Sequence, residues 1–250
     1  MLNIKQLGKK SEKIRIIWLH GWGHDSQAFL PIVSLFENST ENYLVDLPGF
    51  GGSTKPDEIW GTEEYAKNLL DWLSTLKKKP TYIVGHSLGG KIGMRMAYLS
   101  SKEISGLILI SSAGLRIQKS LKKKIKILIS KIGSPIYKKI QKFLPDRLKM
   151  FLVKLIGSRD YQSSEGIMRS ILIKTVNEDL SKIAPKIKTK TLLIYGSRDL
   201  ETPPMFGKKF NQLMKNSNFI ELKGYDHYNI LTLAKYQIQN LITKFLEENK

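Results

Sequence analysis

The sequence predicts an α/β protein: a mostly parallel sheet with helices on both faces and a helical insertion between two of its strands. Three observations carry this. Short β-branched runs alternate with helical patterns along most of the chain. The runs are nearly all apolar, as strands buried on both faces must be. One interval, from about 115 to 185, breaks the rhythm and holds no convincing strand.

The elements follow in order. "KIRIIWLH" (13–20), "NYLVDL" (42–47), "TYIVG" (81–85), "GLILIS" (106–111), "TLLIYG" (191–196) and "NFIEL" (218–222) are the expected strands. Helices are expected near 24–36, 62–77, 88–100, 203–215 and 230–247. Strand–helix alternation of this kind implies parallel pairing with helical crossovers. In the irregular interval, Leu121, Ile125, Leu128 and Ile132 share one helical face, and Leu148, Phe151, Leu152 and Leu155 share another. Gly133-Ser134-Pro135 and Leu144-Pro145-Asp146 punctuate it. The expected division is a core of residues 1–114 and 185–250, interrupted by a helical cap at 115–184.

Composition narrows the class. At 41% hydrophobic and 25% charged residues, the chain has the balance of a globular protein with a buried core, not of a disordered one. No apolar run approaches the roughly 18 residues that cross a bilayer. The start has no apolar block followed by a small-residue cleavage site, so no signal peptide is expected and the cytoplasm is the default compartment. The absence of cysteine excludes disulfides, thiolate metal sites and a cysteine nucleophile. The net charge is +19, mostly from lysine, as AT-rich coding would give. It is uneven, however: fourteen basic residues stand against one acid, Asp146, between Arg116 and Arg159. Such a segment suits an acidic carrier protein or an anionic membrane surface. No nucleic acid is expected, because the cap's bases alternate with apolar helix faces and lack stacking aromatics.

The stretch "TYIVGHSLGGKIGM" (81–94) fits two motifs. Gly85 to Lys91 matches most of a phosphate-binding loop, but the hydroxyl needed after the lysine to hold magnesium is replaced by Ile92. Gly85-His86-Ser87-Leu88-Gly89 matches the turn that presents a serine nucleophile. A serine at the tip of that turn is held at positive φ, so the residues two away on either side must be small. Ser87 then opens a helix, whose N-terminus and Leu88 N–H can stabilise an oxyanion.

A serine hydroxyl needs a base, and the base an orienting carboxylate. After a turn of this type the chain order is serine, acid, histidine. His20 and His24 precede the serine, and His86 adjoins it, where successive side chains point apart. His227, in "GYDHYN", lies in a loop before the last helix. Asp199, in "TLLIYGSRDLETP", ends the preceding core strand, and Asp226 is a rival acid. His20 and His24 have metal-like spacing, but no metal or cofactor is expected.

With these residues the chain resembles the α/β-hydrolase fold family from about residue 10 to its end. "WLHGWGHDSQAF" is similar to the family's loop after an early strand, and the resemblance implies Trp22 as the second oxyanion donor. "VDLPGFGGS" (45–53) is similar to the loop that braces the active-site floor. The insertion then corresponds to the cap that roofs the pocket. "HGWG" and "VDLPGFGGS" look like pimeloyl-carrier-protein methyl esterases, and the end of the cap looks more like general esterases and C–C hydrolases. C–C hydrolases usually have asparagine before the serine and tryptophan after the histidine, where this chain has His86 and Tyr228.

The expected function is a serine hydrolase of a carboxylic ester or thioester, working through an acyl-enzyme. Ser87, Asp199 and His227 are its expected catalytic residues, and Trp22 and Leu88 its expected oxyanion hole. The expected substrate is a small-molecule or carrier-bound acyl group. The alternatives are a C–C hydrolase or an acyltransferase on the same residues, or a non-catalytic binding protein that kept the fold.

Overall fold

A computed structural model describes residues 1–9, 13–116 and 159–249. Seven strands form one sheet: β1 (Asn3–Leu7), β2 (Arg15–Leu19), β3 (Glu41–Asp46), β4 (Thr81–His86), β5 (Gly106–Ile110), β6 (Thr191–Gly196) and β7 (Ser217–Leu222). Their spatial order is β1-β3-β2-β4-β5-β6-β7. All neighbours pair in parallel except β1 with β3, which is antiparallel in the register Asn3 to Asp46. The order places β4 at the centre of the sheet, and the direction of chain growth reverses between β2 and β4. In open parallel sheets the crevice beyond the carboxyl ends of such strands is where ligands bind.

The helices are α1 (Leu30–Val33), α2 (Thr62–Ser74), α3 (Leu88–Leu99), α4 (Arg159–Ser163), α5 (Gly166–Asn177), α6 (Pro204–Leu213), α7 (Ile230–Leu233) and α8 (Lys235–Glu247). Period-two alternation splits each central strand between two cores. On β2, Ile17 and Leu19 face one cluster, shared with Leu69 of α2, Ile92 of α3 and Phe210 of α6. Ile16 and Trp18 face the other, shared with Ile32 of α1 and Ile238 and Ile242 of α8. Every residue of β2, β3, β4 and β6 is buried, and the polar ones on β3, Glu41, Asn42 and Asp46, are hydrogen-bonded to Arg15, Trp18 and the Ser26 N–H respectively.

β1 is the strand absent from the expected set. Its exposure alternates and it lies on the edge, so its sequence "NIKQL" lacks the apolar run of a buried strand. Helices α4 and α5 fall between β5 and β6, as expected of the insertion. The apolar faces expected at Leu121 to Ile132 and Leu148 to Leu155, and most of the basic run, lie outside the described residues.

The described end of the insertion is tied to the core. The Glu178 carboxylate accepts from the Thr62 backbone N–H at 3.0 Å and from the Thr62 hydroxyl, capping α2. Trp22 Nε1 donates to Ser164 Oγ at 3.3 Å, linking the loop after β2 to the start of α5.

Candidate active site

β4 ends at His86, and Ser87 turns the chain directly into α3. Ser87 has φ +52° and ψ −111°, a conformation costing of order 1–3 kcal/mol for a side-chain-bearing residue. Its N–H donates to the Ile110 carbonyl at 3.2 Å, and its carbonyl accepts from Ala113 and Lys91, which together hold the strain in place. The flanking glycines are a steric requirement. A Cβ on Gly85 would come within 2.5 Å of the Gly89 carbonyl oxygen, and one on Gly89 would run into the Leu19 carbonyl.

Asp199 and His227 come from the loops after β6 and β7. His227 Nδ1 donates to Asp199 Oδ2 at 2.8 Å, and both residues are buried. Asp199 Oδ1 accepts from the N–H groups of Glu201 and Thr202 at 2.9 and 2.8 Å. Burial alone would raise the Asp199 carboxyl, but the hydrogen bond from His227, its charge and the Thr202 N–H hold it below the ordinary carboxylate value. Thr202 joins this pair: its hydroxyl lies 3.0 Å from Asp199 Oδ2 and 3.1 Å from His227 Nδ1, and 2.8 Å from the Ser111 carbonyl. Asp226 does not touch the ring. Its Oδ1 accepts from the Tyr228 and Asn229 N–H groups, which shapes the loop.

Ser87, His227, Trp22 and Leu88 line one cavity of about 570 Å³, with walls from α3, α5 and the loops after β5 and β6. No hydrogen bond joins the Ser87 hydroxyl to His227 among the described residues; such contacts are often long before substrate binds. The backbone N–H groups of Trp22 and Leu88 meet no partner among the described residues. These two N–H groups and the N-terminus of α3 give the region around Ser87 a positive field suited to a developing oxyanion.

His20 and His86 hold backbone, while His24 lines the cavity. His20 donates from Nδ1 to the Gly21 carbonyl at 2.7 Å and accepts the Leu47 N–H at Nε2, so both nitrogens hold backbone; burial lowers it to about 4. His86 is fully buried, donates from Nε2 to the His227 carbonyl, and is lowered by burial and then by the His227 charge to about 3. Asp46, in the loop similar to the family's floor loop, accepts from the Ser26 and Gly52 N–H groups and from Asn3 Nδ2. Thr202 is a site residue that sequence reasoning missed, and His86, set aside there as a base, instead holds the His227 backbone. The signal for Thr202 was its place three residues after Asp199, where a carboxylate caps a turn.

The profile of the alpha/beta hydrolase family matches residues 16–231. Among curated proteins, the pimeloyl-[acyl-carrier protein] methyl ester esterase of Wigglesworthia glossinidia brevipalpis is 26% identical over 227 residues, covering 84% of this chain and 85% of its own. Among solved structures, the enol-lactonase from Burkholderia xenovorans superposes with a TM-score of 0.74 at 20% identity, covering 98% of this chain and 96% of that one. The meta-cleavage product hydrolase from Pseudomonas fluorescens superposes with a TM-score of 0.73 at 16% identity, covering 100% and 95%. At such identities the structural likeness speaks to the fold alone.

Proposed function

This chain belongs to the alpha/beta hydrolase family, and from that premise we propose that it is a serine hydrolase cleaving a carboxylic ester or thioester through an acyl-enzyme. The observation that carries the reading is the strained Ser87 at the N-terminus of α3, sharing a cavity with an imidazole already bonded to a buried carboxylate.

In this reading Ser87 Oγ attacks the acyl carbon while His227 Nε2 takes its proton. Asp199 holds the ring in the tautomer with the proton on Nδ1 and stabilises the imidazolium that forms. The carbonyl oxygen becomes an oxyanion between the Trp22 and Leu88 N–H groups, each worth roughly 2.7–4 kcal/mol if it behaves like a measured oxyanion donor. His227 then protonates the leaving alcohol or thiol. Water, deprotonated by the same ring, releases the acid and restores Ser87.

A relative named as an acyl-carrier-protein methyl ester esterase supports a carrier-bound acyl substrate. The bases between Arg116 and Arg159 would attract such a carrier if it is acidic, or an anionic membrane surface. No helix among the described residues is long and apolar enough to cross a membrane.

The test is a fluorophosphonate probe together with a panel of aryl esters of increasing acyl length, assayed beside carrier-protein and coenzyme A thioesters. Labelling of the wild type that is lost in Ser87→Ala, with hydrolysis lost in parallel, is the expected result. Equal labelling of the variant overturns the reading.

A further inference from the structure

Lys91 lies one turn beyond Ser87 on α3, its backbone N–H on the Ser87 carbonyl at 3.2 Å. Sequence reasoning met this lysine only as part of a phosphate-loop pattern that failed. In the fold its side chain is 3% exposed and forms cavity wall beside Leu172, Thr175 and Arg116. The ammonium donates to the backbone carbonyl of Thr175 and, at 2.7 Å, to that of Glu178. It therefore sits at the C-terminal end of α5, where a cation suits the helix dipole.

Two carbonyls do not complete the site. An ammonium has three N–H donors, and the third has no partner among the described residues. Among the described residues no carboxylate bonds to Lys91 either. Glu178 and Asp179 are near enough to be felt, but the first caps α2 through Thr62 and the second accepts the Ser181 N–H and lies beside Arg116. Arg95 and Arg116 add like charge. Burial is the main influence and lowers the ammonium to about 8, so it is charged at neutral pH. Burying a cation costs several kcal/mol, which two carbonyls offset only in part. Tethering α5 requires only a hydrogen-bond donor, which a neutral side chain would supply, and does not account for the charge.

The cavity is also polarised. Asp160 and Glu201 gather at the wall near His24 and His227, where burial and then the Glu201 charge raise the Asp160 carboxyl. Lys91 and Arg116 occupy the wall formed with α5. An anionic group entering this space is repelled from the first wall and drawn to the second.

We propose that Lys91 is a substrate-binding residue, and that the substrate is an ester whose acyl chain ends in a carboxylate received by the third Lys91 N–H while Ser87 attacks the ester carbonyl. This rests on the hydrolase reading of the same cavity and specifies its substrate class. The leaving group and the attacking water are unchanged, and the product is a dicarboxylic acid.

The experiment compares monomethyl esters of dicarboxylic acids, from succinate to suberate, with methyl esters of monocarboxylic acids of equal carbon count. At pH 7 the wild type should prefer the best anionic ester by about tenfold or more in kcat/KM, the weight of one hydrogen bond to a charged group. That preference ratio should fall about tenfold in Lys91→Met. In the wild type, KM for the anionic series should rise as the pH passes about 8, where Lys91 loses its proton, while KM for the neutral series does not follow it. This arm decides the matter if Lys91→Met fails to fold. Equal turnover of the two series, or an unchanged ratio in a folded Lys91→Met, overturns the proposal. Hydrolysis of neither series overturns it too. In that case fluorophosphonate labelling of Ser87 shows that only the substrate class was wrong, and absence of labelling shows that the hydrolase reading has failed with it.

Discussion

The imidazole of His86 donates from Nε2 to the backbone carbonyl of His227 across 2.9 Å, with the two rings 4.7 Å apart. The residue before Ser87 thus holds the loop that carries the other imidazole. His227 is fixed on two sides, by Asp199 at its ring and by His86 at its backbone. Because burial keeps His86 neutral down to about pH 3, it does not oppose a positive charge on His227.

Replacing His86 with phenylalanine keeps the ring volume and leaves the His227 carbonyl without its donor. An unpaired buried carbonyl costs about 1–3 kcal/mol. The variant should show that loss in urea denaturation and a fall in kcat on an aryl ester, while His86→Gln, which retains an N–H donor, recovers part of both. Wild-type stability and turnover in His86→Phe would mean that the contact does not position the loop.

Asp199 and Asp226 make opposite predictions. Asp199→Asn should lower kcat by about 10⁴, the loss seen in serine proteases when the imidazole is held in the wrong tautomer. Asp226→Asn retains the carbonyl oxygen that accepts from the Tyr228 and Asn229 N–H groups, so its kcat should stay within a few-fold of wild type. Steady-state kinetics on one aryl ester decides between them, and a reversal of the two effects would transfer the role to Asp226.

The uneven legibility of the chain has physical causes. The central strands declare themselves because covering a sheet on both faces demands unbroken apolar runs such as "RIIWL". Ser87 is legible because its backbone strain is a local requirement that Gly85 and Gly89 satisfy within five residues. Asp199 and His227 are legible from chain order and strand ends. β1 is not, because an edge strand with one wet face needs no apolar run, and its Asn3 matters through Asp46, a residue 43 positions away. Lys91 is opaque for a similar reason: its burial is created by α5, 84 residues later, and nothing around Lys91 in the sequence records that contact.

Thr202 offers a subtler test. Its hydroxyl spans Asp199, His227 and the carbonyl of Ser111, a residue itself held at φ +45°. Thr202→Val is nearly isosteric and removes only the hydroxyl. The loss of about 1 kcal/mol expected for one buried hydrogen bond corresponds to a five- to tenfold drop in kcat. Because Asp199 still accepts the backbone N–H of residue 202, KM should be little changed. A kcat equal to wild type would assign the hydroxyl to the fold alone.

Asp46 ties the floor of the site together, and its stability contribution has a definite pH window. It receives the Ser26 N–H at 2.8 Å, the Gly52 N–H at 2.9 Å and Asn3 Nδ2 at 2.7 Å. Burial would raise its carboxyl, but these hydrogen bonds prevail and lower it from 3.8 to about 2. A carboxyl depressed in the folded state stabilises the fold above its unfolded value and loses that contribution as pH falls through the folded one. The difference corresponds to about 2 kcal/mol, present at neutral pH and lost between about pH 4 and pH 2. Asp46→Asn should therefore be less stable than wild type by about that amount at pH 7. The gap should close as acid protonates the wild-type carboxyl. Urea denaturation of both proteins across this range isolates Asp46 from Asp199 and Glu41, whose carboxyls are also lowered but are common to both. A gap that stays constant with pH would show that the substituted amide is disfavoured by its shape rather than by its missing charge.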